Sequence, residues 1–239
     1  KTEFVGVIDN SSSNYFLITN DVRVYFDVFI PQKSVRKEYL NKKVLVEVED
    51  WNENYKNPIG KVVEIIGEID EHNTEINSIL YDYGFEPKFP KEVEKSANNI
   101  TKKISSEEIN NRLDIRKTTT FTIDPKDAKD FDDALSLKKL TNGNWEVGVH
   151  IADVSHYVKK GGVVDKEAIK RATSVYLVDR VVPMLPEILS NNICSLKPNV
   201  DRLAYSVLFE MDEKANLVDY KIVKTVINSD IRFTYQTAQ

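Results

Sequence analysis

The residues best suited to chemistry in this chain are four aspartates within one short segment. Residues 121–134 have the sequence FTIDPKDAKDFDDA, and the carboxylates of interest are Asp124, Asp130, Asp132 and Asp133. Carboxylates this close together repel one another unless a cation neutralises them. Because all the donors are hard oxygens, Mg²⁺ (or Mn²⁺) suits the site better than Zn²⁺. A metal held in this way typically acts on phosphate, so the pattern indicates metal-dependent phosphoryl chemistry.

Two strand-like runs must position these aspartates. Residues 118–123 are predicted to form a strand that delivers Asp124, Pro125 favours a turn, and residues 134–140 lead away as a second strand. Two cations about 4 Å apart would bind the scissile phosphate and activate a water. We expect the metal ligands to be Asp124, Asp130 and Asp133, and Asp132 to position or deprotonate the attacking water. The division of roles within the set is open.

Three other interpretations of the aspartates were weighed. An ordinary turn often contains two or three aspartates, but four of them around Phe131 exceed what a turn requires. A helix-loop-helix calcium site needs a central glycine and a late glutamate at fixed offsets, and this segment has neither. A zinc site needs histidine or cysteine. His150 and His156 could share a face of an extended strand, but a strand histidine is more often a satisfied polar residue than a ligand.

The composition is that of an ordinary globular protein. Hydrophobic residues make up 41% of the 239 residues and charged residues 30%, so a core can be buried. The single cysteine, Cys194, excludes an intrachain disulfide and is expected to be a buried apolar residue in a reducing compartment, in line with a cytoplasmic location. The sequence has neither a membrane-spanning run nor a signal-peptide pattern. It begins at Lys1 and is expected to be a piece of a longer protein.

Residues 1–67 predict a small all-β barrel of the oligonucleotide-binding (OB) type. Its five strands are expected at residues 4–8, 15–19, 23–30, 43–51 and 61–67, with a more helical insert at 33–42 and turns at 10–14, 20–21 and 52–58. In the third strand, alternation predicts that Val24, Phe26, Val28 and Ile30 face the core. The outward row would either stack single-stranded bases, with Asp27 repelling a phosphate backbone, or merely cover the barrel mouth or a neighbouring domain. The candidate base contacts are Arg23, Tyr25 and Phe29, joined by Tyr15 from the second strand.

Residues 68–117 predict a connector with two helices. Asn73 or Thr74 would cap the first helix and Gly84 would end it, after which two prolines enforce an extended stretch. Ile76, Ile79, Leu80 and Tyr83 are placed at helical spacing along the first helix. Ser105 and Glu108 form a capping box for the second.

Residues 118–239 predict an α+β domain. Strands are expected at 118–123, 134–140, 145–152, 204–211 and 220–227, with a hairpin turn at 141–144 and a second turn at 212–214. Asp165 would cap a helix that runs through Arg171, and residues 176–181 would be extended.

Several of these segments also carry a family resemblance. The aspartate segment, 149–158 (VHIADVSHYV), 173–176 (TSVY), 183–186 (PMLP), 189–196 and Asp201-Arg202 resemble, in order and spacing, the opening of the catalytic RNB domain of the ribonuclease II/ribonuclease R exoribonucleases. Bacterial ribonuclease R members are the most similar. Residues 27–31 (DVFIP) and 60–63 (GKVV) resemble the second cold-shock domain that precedes it. The resemblance covers nearly all of residues 118–239, which is highly specific.

The resemblance implies a processive hydrolase that degrades single-stranded RNA from its 3′ end to nucleoside 5′-monophosphates with Mg²⁺. The family's four catalytic aspartates match Asp124, Asp130, Asp132 and Asp133, and a tyrosine that stacks on the terminal base matches Tyr176. A monomer is expected. The family's catalytic domain continues well past Gln239, so this truncated piece is expected to bind RNA weakly and to have little or no activity.

Two other functions remain open from the sequence. The first is an RNA-binding regulator with a decayed catalytic site. The presence of all four aspartates argues against this function. The second is a phosphatase or DNA nuclease that merely shares the acidic loop.

Overall fold

The computed structural model describes residues 2–9, 14–19, 21–52 and 56–239. These residues belong to two compact units, 1–88 and 89–239. The division falls inside the segment 68–117 that was predicted as a connector, so the boundaries 1–67, 68–117 and 118–239 remain a prediction.

The first unit is a closed five-stranded barrel with the strand order β1-β2-β3-β5-β4. The elements are β1 (Glu3–Asp9), β2 (Tyr15–Ile18), β3 (Val28–Ile30), β4 (Lys42–Asp50), β5 (Ile59–Glu68) and the helix α1 (His72–Asp82). Gly6 permits the close approach of β1 and β2, since a Cβ atom there would lie 2.2 Å from the carbonyl oxygen of Ile18. The barrel expected from the sequence is confirmed.

The third strand is shorter than predicted. Residues 23–27 leave the ladder because Asp21 builds a turn: its backbone carbonyl accepts from the amide of Val24, and its carboxylate accepts from the amide and the guanidinium of Arg23. The burial alternation nevertheless persists, with Val24 and Phe26 packed against the barrel core and Tyr25 exposed. The predicted helical insert consists of two 3₁₀ turns, Gln32–Ser34 and Lys37–Tyr39. The predicted turns at 10–14, 20–21 and 52–58 lie partly outside the described residues.

The predicted cap of α1 was wrong. The helix begins at His72, because Thr74 turns its side chain into the core and is only 2% exposed. The buried side of the helix consists of Thr74, Ser78 and Leu80, whereas Ile79 and Tyr83, two of the residues at helical spacing, are exposed. Gly84, with φ of +80°, follows the end of the helix as expected.

The second unit contains the remaining elements. They are α2 (Lys91–Asn98), α3 (Ser106–Asn110), β6 (Leu113–Asp114), β7 (Thr120–Asp124), β8 (Asp133–Lys139), β9 (Trp145–Ala152), α4 (Val154–Tyr157), α5 (Val163–Arg171), β10 (Val175–Tyr176), β11 (Val181–Val182), a π-helix (Leu189–Ile193), β12 (Asp201–Met211), β13 (Leu217–Asn228) and β14 (Ile231–Thr234). Seven strands form one sheet in the order β14-β7-β8-β9-β12-β13-β6, in which only the two edge pairs are parallel. The α+β class is confirmed.

Helices cover one face of this sheet. Ala134, Ala152 and Ala204 face a core that includes Val93 of α2, Val164 of α5 and residues of the π-helix. Small side chains on the central strands let these helices approach closely. On the same strands, outward residues such as Leu137, Ile151 and Tyr205 are exposed, as is Ile222 on β13.

Three local predictions in this unit need correction. The segment predicted to hold two helices contains a third, α2, which follows Pro90; the backbone of Pro90 is extended as predicted (φ −56°, ψ 142°) and forms the N-cap. Gly162, not Asp165, caps α5; the Asp165 carboxylate accepts from the amide of Gly161 at 2.7 Å. Residues 176–181 form the hairpin of β10 and β11 instead of one extended run. Ser105 caps α3 as predicted and accepts from the amide of Glu108 at 3.1 Å.

Candidate active site

The aspartate loop, residues 124–133, connects β7 to β8 at one end of the sheet. Asp124 is the last residue of β7 and Asp133 the first of β8, so the two ends of the loop each deliver a carboxylate, as predicted. The next strand also supports the loop, since the amide of Ala152 donates to the carbonyl of Asp132 at 2.9 Å. Asp124 is 8% exposed, whereas Asp132 and Asp133 are exposed.

Phe131 anchors the middle of the loop. Its side chain is 5% exposed and belongs to the core of the second unit. Its amide donates to Oγ of Ser195 at 3.0 Å, and its carbonyl accepts from the amide of Leu196 at 2.8 Å. Ser195 Oγ in turn donates to the carbonyl of Lys129 at 3.0 Å. With Phe131 fixed inward, the flanking Asp130 and Asp132 are held at the surface.

Arg232 is a site residue that the sequence analysis missed. It lies on β14 and donates through Nη2 to the carbonyls of Pro125 at 2.5 Å and Lys126 at 2.8 Å. Its guanidinium carbon lies 4.9 Å from the centre of the Phe131 ring. These loop residues lie more than a hundred positions earlier in the chain, so no local sequence signal pointed to Arg232.

The electrostatics of the loop are those of crowded carboxylates. Burial, with the negative charges of Asp133 and Asp130, raises the pKa of Asp124; Thr122 and the positive charge of Arg232 oppose that rise. The carboxyl of Asp132 reaches solvent, yet desolvation by surrounding protein raises its pKa, reinforced by Asp130, Asp133 and Asp124. The four side chains therefore share one electrostatic field, as their spacing predicted.

Tyr176 lies beside this loop. Its side chain is 68% exposed, and its hydroxyl donates to Oδ2 of Asp130 at 3.3 Å. Burial and the charge of Asp130 raise the pKa of Tyr176, so the hydroxyl remains a donor at neutral pH. The structure thus brings Tyr176 to the aspartates, with its exposed ring available for stacking.

The donor set fits a hard divalent cation in its chemistry. Oδ2 of Asp124 is buried and has no hydrogen-bond partner, which leaves an oxygen that a cation would satisfy. Within the described residues, however, no three acidic, histidine or cysteine side chains are grouped closely enough to hold a metal ion. Binding would have to draw the aspartate side chains together.

The two histidines do not converge. His150 is fully buried, its Nδ1 lies 2.7 Å from Oγ of Ser206, and burial lowers its pKa to about 4. His156 lies on α4, with Nδ1 3.5 Å from Glu108. Nε2 of His150 is buried without a hydrogen-bond partner, so this histidine is only half satisfied, and its structural role stays a prediction.

The predicted row of RNA contacts is only partly assembled in the barrel. Strand register pairs Tyr15 with Ile30, which directs it toward the barrel core, while Phe16 pairs with Phe29 and their ring centroids lie 5.6 Å apart. Arg23 is exposed and bound to Asp21. Tyr25 is 91% exposed and contacts Phe26, which also contacts Trp51 at 4.5 Å. Phe16 and Trp51 are aromatic neighbours that the sequence analysis did not include, and the base-stacking role of the row remains a prediction.

The fold and the loop define a class of protein: a cold-shock barrel followed by an RNB domain. The family model "Cold shock domain" matches residues 16–90, and the "RNB domain" model matches residues 112–239. Ribonuclease R of Thermotoga maritima is 42% identical over 234 residues, which is 97% of this chain and 33% of that protein. The chain therefore belongs to the ribonuclease R family, and it spans about a third of the length of this relative.

Solved structures agree with this assignment. One is described as "Mycoplasma genitalium RNase R in complex with double-stranded RNA". Its alignment covers all of this chain and 42% of the Mycoplasma chain, with 27% identity and a TM-score of 0.87. Yeast Ssd1, described as a pseudonuclease, aligns over 99% of this chain and 31% of its own, with 21% identity and a TM-score of 0.78. The second likeness shows the fold alone.

Among the described residues, no helix is both long and apolar enough to cross a membrane.

Proposed function

We propose that this chain is the cold-shock and catalytic-loop segment of a 3′-to-5′ exoribonuclease, which hydrolyses single-stranded RNA processively to nucleoside 5′-monophosphates. The family membership supports an exoribonuclease, and the RNA in related structures supports RNA as the substrate. Processivity, polarity, the cytoplasmic location and the monomeric state are parts of the proposal.

The observation that carries the proposal is the aspartate loop itself. Four carboxylates share one electrostatic field, and one oxygen of Asp124 is buried without a hydrogen-bond partner. The hydroxyl of Tyr176 donates a hydrogen bond to Asp130. A purely structural role in a turn does not explain this combination, because crowded carboxylates destabilise the folded state when no cation neutralises them. The combination is suited to a cation and the 3′ end of an RNA.

Each residue has a role within this proposal. Asp124, Asp130 and Asp133 would hold Mg²⁺ (Mn²⁺ as a substitute), which, when bound, would polarise the scissile phosphate and lower the pKa of a water. Asp132, with its raised pKa and exposed oxygens, would orient that water and accept its proton. The exposed ring of Tyr176 would stack on the terminal base. Arg23, Tyr25 and Phe29, with Tyr15 at the edge of the core, would contact RNA upstream on the barrel.

The test compares Asp132→Asn with Asp127→Asn, an exposed aspartate of the same loop. In a protein of the relatives' full length, Asp132→Asn should reduce hydrolysis of a 5′-labelled RNA by roughly 10²- to 10⁴-fold and leave RNA affinity unchanged, whereas Asp127→Asn should cleave like the wild type. Equal rates for Asp132→Asn and wild type would refute the proposal. The 239-residue chain alone should bind RNA weakly and cleave it little.

The alternative is an RNA-binding regulator with an inactive RNB-like domain. One observation favours it: no three of the described acidic side chains are grouped as a ready metal site. The rate at which the wild-type protein hydrolyses RNA in the same assay distinguishes the two functions, because a regulator would bind RNA and leave it intact. Matched RNA and DNA oligonucleotides would identify a DNA nuclease, since a ribonuclease depends on the 2′-hydroxyl.

A further inference from the structure

The aspartate loop is held from two sides by residues outside it. Arg232 reaches in from β14 and binds the first half of the loop through the carbonyls of Pro125 and Lys126. Ser195, which follows the π-helix, binds the second half through the carbonyl of Lys129 and the amide of Phe131. Both meet at Phe131, whose ring lies under the guanidinium of Arg232.

Taken together, these contacts fix the backbone on both sides of Asp130. A loop of this length would otherwise sample many conformations, and ordering it costs conformational entropy. Arg232 and Ser195 bind backbone atoms of the loop and not its carboxylates.

We propose that Arg232 is a positioning residue, which acts with Ser195 to hold the aspartate loop in the conformation that binds cation and substrate. The consequence for the cation rests on the proposed function; the hold on the loop does not. Arg232 touches the loop backbone and the Phe131 ring, and it acts on the chemistry through them.

A positioning role of Arg232 strengthens cation binding, whereas its positive charge alone would weaken it. Arg232 carries a positive charge whose field reaches Asp124, so a purely electrostatic role would weaken the binding of a cation. Removing the charge would then tighten binding. A positioning role predicts weaker binding on removal, because residues that orient ligands typically contribute 10- to 100-fold in metal affinity.

Two substitutions separate the two roles. Arg232→Met removes the charge and both hydrogen bonds. Arg232→Lys keeps the charge but loses the planar guanidinium, which places a single nitrogen, Nη2, within reach of both carbonyls while its carbon lies over the Phe131 ring. Ser195→Ala tests the other side of the loop with the loss of a single hydroxyl. Arg36→Met is the matched control, because Arg36 is an exposed arginine near the Tyr39 ring of the barrel.

The first measurement needs no metal and no RNA. Hydrogen exchange of the 239-residue chain, followed by mass spectrometry, reports the amides of the loop, among them Ala128 and Phe131. We expect loss of protection in residues 125–132 for Arg232→Met, Arg232→Lys and Ser195→Ala, with unchanged protection elsewhere in the unit, and no change for Arg36→Met. Unaltered protection in both Arg232 variants would overturn the proposal.

The second measurement is Mn²⁺ binding to the same chains, followed by electron paramagnetic resonance. We expect both Arg232 variants to bind Mn²⁺ roughly tenfold more weakly than the wild type. Tighter binding by Arg232→Met with wild-type binding by Arg232→Lys would show a charge effect and overturn the proposal. If the wild type binds no Mn²⁺, the metal site of the proposed function fails, and hydrogen exchange alone decides whether Arg232 holds the loop.

Discussion

The hydroxyl of Tyr176 donates a hydrogen bond to Oδ2 of Asp130, across 3.3 Å and 46 positions of sequence. This contact joins the β10–β11 hairpin to the aspartate loop. It places an exposed aromatic ring beside the carboxylates, where the end of an RNA would lie in the proposed reaction.

Tyr176→Ala should weaken RNA binding more than Tyr176→Phe does. The ring supplies stacking of about 1–3 kcal/mol per base, and phenylalanine retains it while losing only the bond to Asp130. The measurement is fluorescence anisotropy with a 3′-labelled oligonucleotide in an Asp132→Asn background, which prevents cleavage. An equal loss for both variants would show that the hydroxyl, and not the ring, binds RNA.

Asp132→Asn should raise the melting temperature of the metal-free chain at pH 7. The pKa of Asp132 is raised in the folded state by desolvation and by neighbouring aspartates, so the folded chain binds this proton more tightly than the unfolded chain. Ionisation then opposes folding, and stability falls as pH rises between the unfolded and folded pKa values. Thermal unfolding followed by circular dichroism should show the gain disappearing below about pH 4, where the unfolded carboxyl is also protonated. Asp127→Asn is the control, and a lower melting temperature for Asp132→Asn at pH 7 would contradict the prediction.

The ion pair between Arg112 and Asp153 should be a major element of stability in the second unit. Its atoms are 2.6 Å apart, and both side chains are 1% exposed. Burial opposes the ionisation of Asp153, but hydrogen bonds from Ser155 and Arg112 outweigh it and lower the pKa. Asp153→Asn leaves the Arg112 charge without this partner and should cost about 3–5 kcal/mol in urea unfolding.

Replacing both members of this pair should lower the free energy of unfolding by less than the sum of the two single losses. In the double variant, neither charge of the original pair remains buried without its partner. The control is the exposed pair Asp179–Arg180, where Arg180→Met should change stability by less than about 1 kcal/mol. Strict additivity of the two buried substitutions would argue against coupling.

Cys194 should be inert in the folded chain. It is 4% exposed, and burial raises the pKa of its thiol to about 12, so almost no thiolate is present at pH 8. Ellman's reagent should react with Cys194 only at the rate of unfolding and rapidly in 6–8 M urea. Fast labelling of the native chain would show that the thiol is accessible.

Local patterns accounted for much of the fold and the site. The aspartates, the β8–β9 hairpin and the cap of α3 all depend on residues within a few positions of one another, and such signals are present in the sequence itself. The resemblance to a family added Tyr176, which was identified only through that likeness.

The sequence-based predictions failed mainly where contacts between residues distant in the chain determine the structure. Arg232 was missed because its partners lie 106 and 107 positions away. Residues 23–27 alternate like a strand, yet the carboxylate of Asp21 captures that backbone in a turn. The helix α2 was not predicted; the extended backbone of Pro90 immediately precedes it and forms its N-cap.

The pairing of β7 with β14 has a consequence for how the molecule is made. Asp124 ends a strand whose antiparallel neighbour, β8, follows at once, but whose parallel neighbour, β14, is synthesised more than a hundred residues later. Until β14 emerges from the ribosome, the outer edge of β7 has open amides and carbonyls, which are a template for association with other nascent chains. Closure by so remote a partner is slow. The strand carrying Asp124 is therefore completed late, after most of the sheet has been translated.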